Sequence, residues 1–270
     1  MQIQPRYTPD HCSAAYQLNW SLSLFGRESL PTPANTVEEL RSALAVDHLK
    51  ILEFKYKPPN CAQFFVSTRP NLNPSEIVRL VKGRWQYLSR PREPIEFRRN
   101  YRITSVGTSS AEVLDAYIDR QPEKHPMADH RVQEFIESIF QLHDEQVDLT
   151  RVRRSSHGES RYALQVVIES EAGWHDVRSN VLKAYRQAII ASCRKHGWLL
   201  SRIGLLSNHV HVLVGPGIQD SAMEVALVLL NNMAFTQGMK AMFRTSFYVG
   251  TFGEYDRGAI WNGMTVQTDE

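Results

Sequence analysis

His209 and His211, in the run Ser207-Asn208-His209-Val210-His211-Val212-Leu213-Val214, are the residues whose spacing most directly suggests chemistry. Side chains alternate faces along an extended strand, so both imidazoles project from one face while Val210, Val212 and Val214 pack into the other. Two imidazoles side by side make half of a metal site. Alone they would fit a half-solvated strand equally well.

A second stretch, Ser109 to Pro122, shifts the balance. Ser109 with Glu112 reads as a capping box, Val113, Leu114, Tyr117 and Ile118 have helical spacing, and Pro122 stops the pattern. Tyr117 and Gln121 then stand one turn apart on the same face. Without the histidines they would read as a core tyrosine and a surface glutamine. With them, a phenol and a metal-capable amide join a two-histidine strand as a set suited to nucleophilic cleavage of a phosphodiester.

The elements that must position these groups belong to a chain of 270 residues, 42% hydrophobic and 22% charged, enough for one large domain or two ordinary ones. Three scattered cysteines, Cys12, Cys61 and Cys193, suggest neither a disulfide framework nor a CxxC metal site and fit a reducing cytoplasm. No apolar run approaches a membrane span, and Met1 to Cys12 carries no signal-peptide core, so a soluble, cytoplasmic protein is expected. A net charge of +2 and a pI near 8.4 are compatible with a nucleic-acid partner without demanding one.

In chain order, Tyr16–Leu24 alternates strictly and predicts a half-buried strand. A helix opened by Thr36 and Glu39 follows, then strands over Leu49–Tyr56 and Cys61–Ser67. Asn73-Pro74-Ser75-Glu76 starts a helix through Ile77, Leu80, Val81 and Trp85, Arg98–Thr104 reads as a strand, and the Tyr117 helix comes next. This order is that of a split βαβ, or ferredoxin-like, unit. The order then recurs: Tyr162–Ile168, the helix Val181–His196 ended by Gly197, strands Trp198–Leu206 and His209–Val214, a helix capped by Ser221 and Glu224, and Phe243–Gly253. Lining up Tyr16 with Tyr162, Cys61 with His209 and Phe97 with Phe243 gives offsets of roughly 146 to 148, a period expected of a duplicated unit. Residues 125–160 read as an inter-domain helix, Asp129–His143, followed by a basic, flexible linker around Arg151–Gly158. The expected class is therefore α+β, two ferredoxin-like domains in tandem over 1–124 and 161–270.

Asn73–Gly83 and Tyr117-Ile118-Asp119-Arg120-Gln121 in the first half, and Asn208-His209-Val210-His211-Val212-Leu213 in the second, resemble the single-tyrosine transposases of the HUH nuclease superfamily. The resemblance implies ferredoxin-like units paired through their sheets, two histidines on a divalent metal, a glutamine completing the metal shell, and a tyrosine that attacks single-stranded DNA. It also implies that the tyrosine helix serves the partner unit's histidines. The sequence departs from the pattern twice. Cys61-Ala62-Gln63 stands where the first half should carry its histidines, a poor ligand pair for a hard ion. Glu254–Gly263 stands where the second half should carry its tyrosine helix, with Gly263 at the offset of Tyr117. Each half lacks what the other retains, which implies a pseudo-dimer within one polypeptide and a single composite site of Tyr117 and Gln121 with His209 and His211.

The implied activity is metal-dependent cleavage and rejoining of single-stranded DNA through a 5′-phosphotyrosine at Tyr117, with Mg or Mn as the nitrogen- and oxygen-ligated ion. Tyr248 and Tyr255 are rival nucleophiles, read instead as sheet and edge residues. Lys82, Arg84, Arg98, Arg99 and Arg102, interleaved with Trp85 and Tyr101, are the candidate contacts to single-stranded or hairpin DNA. The chain is expected to act as a monomeric pseudo-dimer, with further assembly left open. A rival reading is a domesticated DNA-binding protein that has lost cleavage; a histidine-triad nucleotide hydrolase would need a histidine where Leu213 stands.

Overall fold

The computed structural model describes residues 4–31, 36–57, 59–173 and 175–253. The first half contains β1 (Ser13–Gln17), β2 (Asn19–Gly26), α1 (Thr36–Val46), β3 (Leu49–Lys57), β4 (Cys61–Thr68), α2 (Pro74–Ser89), β5 (Phe97–Val106) and α3 (Ala111–Asp119). Then come α4 (Gln121–Lys124), α5 (His130–Phe140), β6 (Gln141–His143), β7 (Arg153–Ser155) and β8 (Gly158–Arg161). The second half contains β9 (Leu164–Ser170), α6 (Ser179–His196), β10 (Leu199–Leu205), β11 (His209–Gly215), α7 (Ala222–Phe235) and β12 (Phe243–Thr251). Glu254–Gly263, including Tyr255, lies outside the described residues.

The helix starts written in the sequence are realised at two equivalent places. Asn73 and Ser221 each cap a helix with a reciprocal box to the glutamate three residues on, Glu76 and Glu224. Gly197 ends α6 in the left-handed conformation, φ 68°. Beneath α2 the aromatic rings of Phe54, Phe64, Trp85 and Phe97 pack with centroids 4.9 to 6.0 Å apart. Trp85 is 1% exposed, so it belongs to this core, as its place beside Ile77 and Val81 on the helix suggested, and is not available to stack on bases.

The strands form two mixed sheets of six, ordered β3-β4-β2-β5-β8-β7 and β6-β10-β11-β9-β12-β1. In each, four antiparallel strands follow the split βαβ order. Leu22 pairs with Phe64 and Ile103, as Val166 pairs with Val212 and Val249. Counting along β4 and β11, Cys61 and Gln63 occupy in one sheet the places of His209 and His211 in the other.

Two expectations fail here for a related reason. Tyr16–Leu24 is not one strand: the chain leaves β1, which pairs in parallel with β12 of the other sheet, and enters β2 after Leu18. Arg151–Gly158 does not form a free linker, because β7 and β8 are ordered and β8 pairs in parallel with β5. The first half thus lends β1 to the second sheet and the segment between the halves lends β8 to the first; from β1 into β2 the period-two alternation continues unbroken because it reports faces and not partners. The crossings are stitched by matching hydroxyls. Ser105 Oγ accepts from Ala163 N (3.0 Å) and donates to Phe252 O (3.1 Å). Thr251 Oγ1 accepts from Asn19 N (2.9 Å) and donates to Val106 O (2.6 Å). At this seam the backbones pass so close that a Cβ on Gly107 would stand 2.6 Å from Phe252 Cα.

Among the described residues all three cysteines are free and buried, and no helix is long and apolar enough to cross a membrane.

Candidate active site

α3 leaves the first sheet and lies on the histidine face of the second. Its cap is Ser110, whose hydroxyl accepts from Val113 N (3.4 Å), one residue later than the Ser109 expected from sequence. At about 100° per residue, Leu114 and Ile118 point down at the sheet, Asp115 and Asp119 flank one side and Tyr117 the other. Ile118, fully buried, seats on Gly204, where a Cβ would meet its Cγ2 at 2.6 Å. On the first flank the guanidinium of Arg202 on β10, 1% exposed, donates to Asp115 Oδ1 (2.7 Å) and to Asp119 Oδ1.

Tyr117 on the opposite flank meets His211, the strand partner of Gly204, edge to face with ring centroids 5.6 Å apart. The rings of His209 and His211 are 5.0 Å apart, on one face of β11 as alternation requires. His211 is 3% exposed, and neither of its ring nitrogens has a hydrogen-bond partner among the described residues. A buried polar atom left so is costly, on the order of 1–3 kcal/mol, and needs a reason. His209 Nδ1 bonds Asn208 Oδ1 (2.8 Å); with the amide oxygen accepting, the proton sits on Nδ1 and Nε2 keeps its lone pair. Burial, then the neighbouring His125 and His175, pushes the His209 pKa down to about 4. Burial, then His209 and His125, pushes that of His211 down to about 3. Both are neutral imidazoles at physiological pH, the form that binds metals.

Gln121 is not on the Tyr117 helix. α3 ends at Asp119, just ahead of Pro122 as the sequence suggested, and Gln121 opens α4 with Pro122 in its first turn. Gln121 still stays in line, 1% exposed, with Nε2 donating to Tyr117 O (3.2 Å) and the amide oxygen left over. Two neighbours escaped the sequence reading. His125 brings its ring to 5.1 Å from that of His209, and the Lys124 ammonium stands 5.0 Å from the centre of the Tyr117 ring. The even spacing of Tyr117, Gln121 and His125, four residues apart each time, was the available signal for the histidine. Among the described residues no three His, Cys, Asp or Glu side chains gather as a metal site.

The equivalent place in the first sheet offers no imidazole. Cys61 and Gln63 are 1% and 4% exposed, and burial pushes the Cys61 thiol up. The candidate DNA contacts are mostly engaged within the fold. Lys82 Nζ donates to the carbonyls of Arg98 (2.7 Å) and Arg99 (3.2 Å), and burial pulls its pKa down to about 8. Arg84 grips Asp47 through two bonds of 2.8 and 2.9 Å, and Arg102 Nε lies 3.6 Å from Glu159. Arg98 is half-buried and Arg99 exposed on β5.

No protein-family model matches the sequence and no curated protein matches it. Among solved structures, a REP-associated tyrosine transposase bound to a REP hairpin aligns at 13% identity and a TM-score of 0.31, over 35% of this chain and 58% of that one. An unknown protein from Galdieria sulphuraria aligns at 9% and 0.23, over 88% and 99% of the two chains. The regulatory subunit of aspartate kinase from Thermus thermophilus aligns at 10% and 0.20, over 83% and 93%. Likeness this slight establishes neither a family nor an activity.

Proposed function

We propose that the chain is a metal-dependent single-stranded DNA endonuclease and strand transferase with one composite site, built by a fused, duplicated unit spanning 1–124 and 161–270. The observation that carries the reading is the contact of Tyr117, from the first half, with His211, from the second, whose buried nitrogens have no partner among the described residues. In this reading His209 Nε2, a nitrogen of His211 and the Gln121 amide oxygen would supply a mixed nitrogen and oxygen donor set, which suits Mg or Mn. A cation bound there would polarise the scissile phosphate and stabilise charge developing on it. Tyr117 Oη attacks phosphorus, the P–O3′ bond breaks, and the phenolic proton passes through solvent to the leaving 3′-oxygen. The new Oη–P bond keeps the phosphodiester linkage, so a 3′-hydroxyl can reverse the step and join another strand. Lys124 lies where it can offset phosphate charge beside the phenol.

The test is incubation of the full chain with labelled single-stranded and hairpin oligonucleotides in Mn or Mg, followed by peptide mapping of any covalent adduct. An adduct at Tyr117 is expected; one at Tyr248 or Tyr255 would reassign the nucleophile. One second reading, a DNA-binding protein without cleavage, fits a site in which no three-ligand cluster occurs among the described residues. Metal-independent binding with no adduct would select it.

A further inference from the structure

We propose that the groove between α3 and the face of β9, β11 and β12 is a nucleobase pocket, holding the base next to the phosphate that Tyr117 attacks; this rests on the DNA reading above. The groove is open and measures about 420 Å3, within the roughly 300–1,000 Å3 of small-ligand clefts. Tyr117 with Val113 and Leu114 forms one wall, and Gln165, Val167 and Tyr248 form the floor beside His211.

Gln165 is the unexplained residue. It is 9% exposed, and its side-chain amide has no hydrogen-bond partner among the described residues. An amide in such a position presents one donor and one acceptor together, as the edge of a base does. Its strand partner on β12 is Gly250, and the missing side chain there lets the Tyr248 ring lie down along the strand: a Cβ on Gly250 would stand 2.9 Å from Tyr248 Cζ. The pocket therefore joins aromatic and aliphatic walls to the Gln165 amide and the Ser109 hydroxyl, and among the described residues no Lys or Arg lines it. That chemistry suits an uncharged planar base by stacking and edge bonding, and does not suit a phosphate.

The test uses the full chain carrying Tyr117→Phe, so that binding is read without cleavage, and a single-stranded DNA pool with a randomised core. Sequencing of bound strands should show one position with a base preference of about tenfold, the discrimination expected of a paired amide. Gln165→Leu should flatten that position while overall affinity, set mostly by the backbone, changes by less than about threefold. Tyr248→Ala should weaken retention of every base at the same position. A preference that survives Gln165→Leu, or a bound pool with no preference at any position, would overturn the pocket while leaving the nuclease reading standing. A pool that does not bind at all would overturn the DNA reading itself and the pocket with it.

Discussion

Arg202→Met deletes the cation under α3 while keeping an apolar side chain of useful length. The guanidinium is 1% exposed, whereas Asp115 and Asp119 are 32% and 50% exposed, so the freed carboxylates can turn to water. Because the carboxylates left behind are solvated, the loss should be small beside the roughly 3–5 kcal/mol of leaving a charge buried and unpaired. The opposite change costs more. Asp115→Asn with Asp119→Asn strands a buried guanidinium and should cost about 3–5 kcal/mol, or about 6–20 °C in Tm for a domain of this size. The position of the phenol responds differently. With one flank released and Ile118 still seated on Gly204, α3 is free to rock about that contact and carry Tyr117 on the other flank. A displacement on the order of 1 Å costs about 100-fold in rate. The single-arginine variant is therefore expected to form the Tyr117 adduct about 100-fold more slowly in a single-turnover assay, with a Tm within about 3 °C of the parent by calorimetry. A parental adduct rate would refute the idea that these ion pairs position the phenol. A rate loss matched by an equal loss of folded protein would refute the separation of positioning from stability.

Two further outcomes are expected. His209→Ala or His211→Ala should abolish metal-dependent nicking of a labelled oligonucleotide, whereas Cys61→Ala with Gln63→Ala should leave it within about threefold, since the proposal gives that end no part in the reaction; equal damage from both pairs would sink the single-site model. In chelator, stability should be full above about pH 6.5 and fall as the pH drops toward 4, because folded-state imidazole pKa values of about 4 and about 3 lie below the 6.5 of the unfolded chain, which then binds more protons. Urea midpoints should show this slope and show it weakened in a His209→Asn, His211→Asn chain; identical slopes in the two proteins would contradict the assignment.

The sequence by itself determined what is local. Alternation put His209 and His211 on one face, the capping boxes at Asn73 and Ser221 set two helix starts, and Gly197 set an end, because each depends on residues within a turn or a pleat of one another. It also placed Cys61 and Gln63 opposite His209 and His211 in the repeat, a correspondence that the strand registers share. Helical spacing grouped Trp85 with Ile77 and Val81 but does not say what covers a face. The tertiary structure alone decided which sheet each strand joins, so the passage from β1 to β2 at Leu18 and the pairing of β8 with β5 had no signature in the pattern. It decided, too, that Arg202 and Gly204 would receive α3, that His125 would reach His209, and that Gln165 would face the groove beside Tyr117 and Tyr248. Periodicity encodes which side of an element is buried; what it is buried against is fixed only when distant segments compete for the same surface.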